Sequence, residues 1–71
     1  MSEAKPHPYP IGSLLLPNEY MVKNGKITSG LILGVVDDVW GYNYEVFLSP
    51  YNFSKWLKED VIKGLFVVVE P

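Results

Sequence analysis

Residues 29–48 constrain the fold of this chain more than any other stretch. They comprise two long apolar segments, 30–36 and 42–48, separated by a turn that begins at Asp37 and ends at Gly41. Successive side chains of a strand alternate between the two faces of a sheet, so residues two positions apart in each segment are expected to share a face. The pattern predicts a β-hairpin that dominates the chain, and among the few architectures that accommodate one in so short a chain, small β-barrels lead.

The two strands of this hairpin differ in how their faces are composed. In the second strand Tyr44, Val46 and Leu48 share one face, and the residues between them include Glu45, which prefers water. We therefore expect the first three side chains to face the core. The first strand is apolar on both faces, which suits a strongly bent barrel strand, and Gly34 in its interior predicts a bulge or a sharp coil.

The other segments complete an all-β prediction. Asn24-Gly25 favours a type I′ turn and predicts a small hairpin inside the loop at 17–28. The further elements are a first strand at 11–16, a fourth strand at 53–57, a helical or 3-10 turn at 58–62 and a last strand at 65–69. We expect a five-stranded barrel over 11–71, preceded by an extended or disordered proline-rich arm at 1–10.

Length and composition limit the classes of protein that this chain can belong to. Its 71 residues allow one domain, and a domain of this size buries only about 60% of its unfolded surface. The absence of cysteine excludes a disulfide scaffold, a Cys-ligated zinc site and thiol chemistry. No apolar segment is typical of a signal peptide or approaches the ~20 residues of a membrane helix, so we expect no contact with a membrane.

The charge balance argues against nucleic acid as the partner. The net charge is −2, and all six basic residues are lysines. Arginine supplies most bidentate contacts to bases and phosphates, and an acidic domain lacks the electrostatic attraction on which such binding depends. Nucleic-acid binding is kept only as an alternative, because small barrels often bind oligonucleotides.

The order of the predicted elements and four short segments resemble a known class of protein. The segments are Ile11-Gly12-Ser13-Leu14, Gly30-Leu31-Ile32-Leu33-Gly34-Val35-Val36, Tyr44-Glu45-Val46 and Trp56-Leu57-Lys58-Glu59-Asp60-Val61-Ile62. Together they cover about residues 11–62. In these features the chain resembles the small SH3-like barrel proteins that are common in bacteriophage genomes.

This resemblance implies a five-stranded SH3-like barrel and a viral protein with a structural or protein-interaction role. The chain departs from the pattern in its arm and in an extra strand within 63–71. It also lacks the acidic, tyrosine-rich first-loop motif of peptide-binding SH3 domains, so binding of proline-rich peptides is not carried over. Photosystem and translation-factor barrels share the same layout, and fold alone does not choose among these functions.

The residues that could carry chemistry favour structural roles. Asp37-Asp38 and Glu59-Asp60 lack the spacing of a hard-cation site and are typical of a turn and of a helix start, respectively. His7, the one histidine, lies between prolines without a partner, and no serine has an elbow motif or a positioned base. We therefore predict no enzymatic activity, no metal and no cofactor.

Aromatic residues are the one surplus in the composition. We expect Tyr44, Phe53 and Trp56 to enter the core. The predicted contact residues for a partner are Tyr9 in the arm together with Trp40, Tyr42 and Tyr51, which lie in or beside turns. The alternative for Trp40 is that it folds back over the mouth of the barrel.

These observations predict a small non-enzymatic protein-interaction module. Its most concrete form is a minor bacteriophage virion component, such as a decoration, head–tail joining or accessory protein, located in the virion or in the cytoplasm of the infected host cell. A virus-encoded regulator that binds and modulates a host protein is the first alternative, and a nucleic-acid-binding barrel is the second. Self-association through the apolar last strand, at 65–69, is a further expectation.

Overall fold

A computed structural model describes residues 8–39 and 41–71 of the chain. Its elements are β1 (Leu14–Pro17), α1 (Glu19–Asn24), β2 (Ser29–Asp38), β3 (Gly41–Ser49), β4 (Phe53–Lys58), α2 (Glu59–Leu65) and β5 (Phe66–Val69). The strands form one antiparallel sheet in the order β4-β3-β2-β1-β5. The all-β prediction with five strands is confirmed. Of the two short helices, α2 lies where the helical turn is predicted and α1 is additional. Within the described residues the sheet is open, with β4 and β5 at its two edges.

The predicted central hairpin is confirmed as β2 and β3, which pair from Ser29 with Ser49 to Asp38 with Gly41. The predicted bulge is confirmed as well, because the register shifts between Ile32 and Gly34. A bulge adds one residue to one strand and so shifts the alternation of its side chains.

The bulge decides which side chains of β2 reach the core. Ile32 pairs with Val46, and Val35, three positions later, pairs with Tyr44 on the same face. A regular strand would have directed Val35 to the opposite face, away from Ile32. The bulge therefore keeps both ends of the long strand packed on one core.

The core lies on the face of β3 that the sequence predicts. Tyr44, Val46 and Leu48 are all buried. They pack with residues of the other strands and of both helices, namely Leu15, Met21, Ile32, Ile62 and Phe66. A fully buried aliphatic side chain contributes roughly 1.5–3 kcal/mol, so these few residues supply most of the favourable free energy of folding.

Gly30 is required by a close approach inside this core. A Cβ atom at this position would lie 2.9 Å from Cγ1 of Val46 and 3.3 Å from Cβ of Leu15. Both neighbours are fully buried and belong to adjacent strands, so neither can move away cheaply. The glycine thus lets β1, β2 and β3 pack closely.

The predicted hairpin around Asn24-Gly25 is wrong, because this segment forms helix α1. The side chain of Asn18 caps the helix by accepting a hydrogen bond from the N–H of Met21 (3.0 Å). Gly25 ends it by donating its N–H to the carbonyl of Met21 (2.8 Å). The cap at the start and the burial of Met21 outweigh the local turn preference.

The second helix and the first strand also differ from the prediction in length. α2 covers Glu59–Leu65 and passes through Gly64, where the sequence predicts one turn at 58–62. Asn18 lies near the end of this helix, since its side chain donates to the carbonyl of Gly64 (2.9 Å) and its N–H to that of Leu65 (2.9 Å). β1 is shorter than predicted because Gly12, with φ of 95°, lies in a turn that precedes it.

Candidate interaction surface

The predicted contact residues fall into separate parts of the structure. Tyr9 and Tyr42 are half-buried and flank the buried Tyr44, with ring centroids 5.4 Å and 6.4 Å from its ring. Tyr51 is exposed in the turn that follows β3, whereas Tyr42 lies near the start of that strand. The ring of Tyr51 contacts the ring of Phe53 edge-on, with 6.1 Å between the ring centroids. Trp40 lies outside the described residues. The structure therefore does not bring Tyr51 together with the other two tyrosines.

The three clustered tyrosines tie the described end of the arm to the sheet. The N–H of Tyr9 donates a hydrogen bond to the Tyr44 hydroxyl (3.0 Å). Burial raises the pKa of that hydroxyl above its ordinary value of 10.0, the hydrogen bond from Tyr9 lowers the pKa in part, and the nearby charge of Glu59 adds to the increase. Residues 1–7 of the arm lie outside the described residues.

Two aromatic residues expected in the core are found on the surface instead. Phe53 is 49% exposed and Trp56 is 52% exposed. Both belong to β4, which is an edge strand and has a neighbouring strand on one side only. Trp56 pairs with Glu45 and so lies on the face of the sheet opposite Tyr44.

The face opposite the core is rich in exposed apolar side chains. Directly paired residues of antiparallel strands project to the same side of the sheet, so the pairing identifies the members of this face. We call it the outer apolar face, and its members are Leu14, Leu16, Leu31, Val36, Phe47, Trp56, Val67 and Val69. Seven of them are 38–55% exposed, and Phe47 is intermediate.

These side chains form continuous rows across the strands. Val69 pairs with Leu14, Leu14 with Leu31, and Leu31 with Phe47. Since neighbouring strands are about 4.8 Å apart, this row of four residues spans roughly 15 Å. Val67 and Leu16 form a second pair beside it. This row is an apolar strip that crosses β5, β1, β2 and β3.

Polar residues border the outer apolar face on one side. The charged residues at paired positions of this face are Asp38, Glu45 and Lys58, all on β2, β3 and β4. Asp38 accepts a hydrogen bond from the Asn43 side chain (3.0 Å), and Glu45 accepts one from Ser54 (3.2 Å). The parts of the face on β1 and β5 carry only aliphatic side chains. The arrangement has an apolar centre and a partly polar rim, as protein interfaces do.

The area of this face is comparable to that of the largest apolar patch on a typical monomer. From the exposed fractions of its side chains it amounts to on the order of 500 Å², and such patches of roughly 300–600 Å² often have a function. In the sequence the only sign of this face is the apolar character of both faces of residues 30–36, which the barrel interpretation explains by bending of the strand.

A concavity between the β2–β3 turn and the start of α2 brings together members of the two acidic pairs considered in the sequence. It has a volume of about 100 Å³ and includes Asp38, Lys58, Glu59 and Asp60 in its lining. Ligand pockets usually measure roughly 300–1,000 Å³. Among the described residues no three side chains of metal-ligating type lie close enough together to hold a metal ion. This concavity therefore adds no support to a catalytic or metal-binding function.

Neither described helix is long and apolar enough to cross a membrane. Comparison of the chain with protein-family models, with curated proteins and with solved structures finds no match. The outer apolar face is thus the feature of the described structure that most directly indicates a function.

Proposed function

We propose that this protein is a non-enzymatic interaction module that binds another protein through its outer apolar face. The observation that carries the proposal is the row formed by Val69, Leu14, Leu31 and Phe47. Its aliphatic and aromatic side chains are partly exposed to water, although so small a domain has few large apolar side chains for its core. Exposing so much apolar surface is unfavourable unless a partner covers it.

The chemistry of the face favours a folded protein as the partner. Trp56 and Phe47 supply aromatic anchors of the kind that dominate binding free energies at interfaces, and Asn43 and Ser54 at the rim can exchange hydrogen bonds. A nucleic acid would meet one lysine, Lys58, against two carboxylates on this face, so its phosphates would not be attracted.

The finer fold assignment, an SH3-like barrel, is part of the same proposal. What supports it is the order of elements, with two long strands in a hairpin, a shorter β4 and a short helix before the last strand. The pairing of β5 with β1 places the first and last strands of the described structure side by side, as they are in an SH3-like barrel.

In its most specific form the proposal makes this chain a minor bacteriophage virion component that joins or decorates larger subunits. The support for that form is the resemblance of residues 11–62 to small phage SH3-like proteins. The alternative, a virus-encoded regulator of a host protein, would use the same face, so the identity of the bound protein distinguishes the two.

The test is affinity capture from the native source with three forms of the tagged protein. The face variant carries Leu31→Ser and Trp56→Ser. The control variant carries Val22→Ser and Val39→Ser, which replace side chains that are 68% and 86% exposed but lie outside the sheet faces. Circular dichroism first verifies that all three forms are folded.

We expect the wild type and the control variant to retain a stoichiometric protein that the face variant loses. A capsid, neck or tail subunit would support the virion form of the proposal, and a host enzyme would support the regulator form. Equal capture by the face variant, or no stoichiometric protein with the wild type, would contradict the proposed function.

A further inference from the structure

The two edges of the sheet differ in how they are protected against pairing with another strand. β4 carries Lys55 and Lys58, and charged residues, especially lysine, are a common device that discourages edge-to-edge association. β5 consists of Phe66–Val69 and contains neither a charged residue nor a proline. Its protection is its length of four residues, so the open edge on the β5 side can accept a short strand.

The hydrogen bonding of β5 shows which backbone groups point to that edge. The N–H of Asn18 donates to the carbonyl of Leu65, which continues the register in which Leu16 pairs with Val67. In an antiparallel ladder every second residue directs both backbone groups to the neighbouring strand. Leu65, Val67 and Val69 thus face β1, whereas Phe66 and Val68 face the open edge.

One of these outward groups is already used within the chain. The N–H of Phe66 donates to the carbonyl of Ile62 and closes helix α2. Within the described part of the chain, the groups left at the edge are the carbonyl of Phe66, both groups of Val68 and, if the strand continues by one residue, the N–H of Glu70. This set contains two donors and two acceptors in alternation.

We propose that this edge pairs with the same edge of a second copy, antiparallel and around a two-fold axis at Val68. In that register Val68 exchanges two hydrogen bonds with Val68 of the second copy. The N–H of each Glu70 donates to the carbonyl of Phe66 opposite. All four available groups of each edge are then satisfied, and the used N–H of Phe66 is not needed.

The side chains fit the same register. Val67 lies opposite Val69 of the second copy, and both belong to the outer apolar face, so the rows of the two copies join across a ten-stranded sheet. Each Glu70 is placed opposite Phe66 of the other copy, next to the end of its helix α2, whose basic residue Lys63 already pairs with Glu59 (3.3 Å). The edge is therefore complementary to itself in hydrogen bonding and in the apolar character of its side chains.

A four-residue strand makes a small interface, and small interfaces are weak. We expect a dimer with a dissociation constant on the order of 100 µM. The inference does not rest on the proposed function, because it depends on the β5 edge rather than on what covers the outer apolar face.

The test uses sedimentation equilibrium of the full chain from about 10 µM to about 1 mM, where the dissociation constant above places the transition. Two variants are compared, and both carry substitutions at Val67 and Val69. Val67→Lys with Val69→Lys puts like charges opposite each other in the proposed register. Val67→Lys with Val69→Glu puts opposite charges there instead, twice per dimer. Thermal unfolding verifies that both variants are folded.

We expect the wild type to dimerise, the Lys/Lys variant to remain monomeric at about 1 mM and the Lys/Glu variant to dimerise at least as strongly as the wild type. The face variant with Leu31→Ser and Trp56→Ser, whose changes lie away from β5, should dimerise like the wild type. A monomeric wild type, a dimeric Lys/Lys variant or a monomeric Lys/Glu variant would overturn this inference and leave the capture experiment unaffected.

Discussion

The inner and outer faces of the sheet carry similar side chains at neighbouring positions of the same strands. Leu15 is fully buried beside Leu14, which is 38% exposed, and Ile32 is fully buried beside Leu31, which is 39% exposed. The difference lies in what covers them. Met21 of α1 and Ile62 of α2 pack on the inner face, and Tyr9 adds to that cover.

This difference shows that composition does not decide which face of a small sheet becomes the core. Both helices and the described end of the arm pack on the inner face of the sheet. The described residues include no element that packs on the outer face. The inner face therefore provides stability, while we assign binding to the outer face.

The largest expected effect comes from a matched pair of truncations on the two faces. Ile32→Ala removes a fully buried side chain and should lower the free energy of unfolding by about 2–5 kcal/mol. Leu31→Ala, on the adjacent position, should lower it by about 1 kcal/mol or less, because much of that side chain is already in water. Urea unfolding of the two variants measures the difference, and equal losses would remove the distinction between the faces.

A smaller loss of stability is expected from a change at Asn18, which links the two helices that pack on the inner face. Asn18→Ala removes the cap of α1 and the link from its side chain to Gly64 in α2, and should cost about 1–2 kcal/mol. Asn24→Ala is the control, since it removes one exposed hydrogen bond to the carbonyl of Tyr20. If thermal unfolding shows the same small loss for both, Asn18 does not anchor the two helices.

The smallest effect concerns the contact between the arm and the inner face, and it depends on pH. Tyr44→Phe removes the hydroxyl that accepts from Tyr9 and should cost about 0.5–1.5 kcal/mol at neutral pH.

The pKa of Tyr44 is raised in the folded state, so the folded protein keeps the hydroxyl proton that the unfolded chain releases near pH 10.0. The stability associated with this proton is fully present below pH 10.0 and is lost as the pH rises through the folded pKa. Unfolding measured between neutral and strongly alkaline pH should show a loss that is smaller in Tyr44→Phe. An identical loss in both proteins would mean that the Tyr44 hydroxyl does not contribute to it.

The sequence predicted the parts of the fold that depend on alternation within one segment. The β2–β3 hairpin, its buried Tyr44 face and the bulge beside Gly34 follow from period-two patterns and from a glycine inside a strand. Helix α1 was missed because the turn signal of Asn24-Gly25 is local, whereas the burial of Met21 that favours the helix depends on the tertiary structure.

The candidate site was predicted less well, because exposure depends on the order of strands in the sheet. Phe53 and Trp56 are exposed since β4 is an edge strand, which no local pattern reveals. Tyr9 and Tyr42, predicted as contact residues, lie beside Tyr44 of the same chain. The proposed function therefore rests on the aliphatic face that pairing brings together rather than on these tyrosines.

The most direct test of the division between the faces is methyl NMR of the free protein with a neutral paramagnetic probe in solution. At a protein concentration of about 10 µM, at which the proposed dimer is largely dissociated, the methyl groups of Leu14, Leu31 and Val36 should relax strongly, although less than those of the more exposed Val22. The methyl groups of Ile32, Val46 and Ile62 should be nearly unaffected. If the outer methyl groups are protected as fully as the inner ones, the outer face is already covered and the proposed binding surface does not exist.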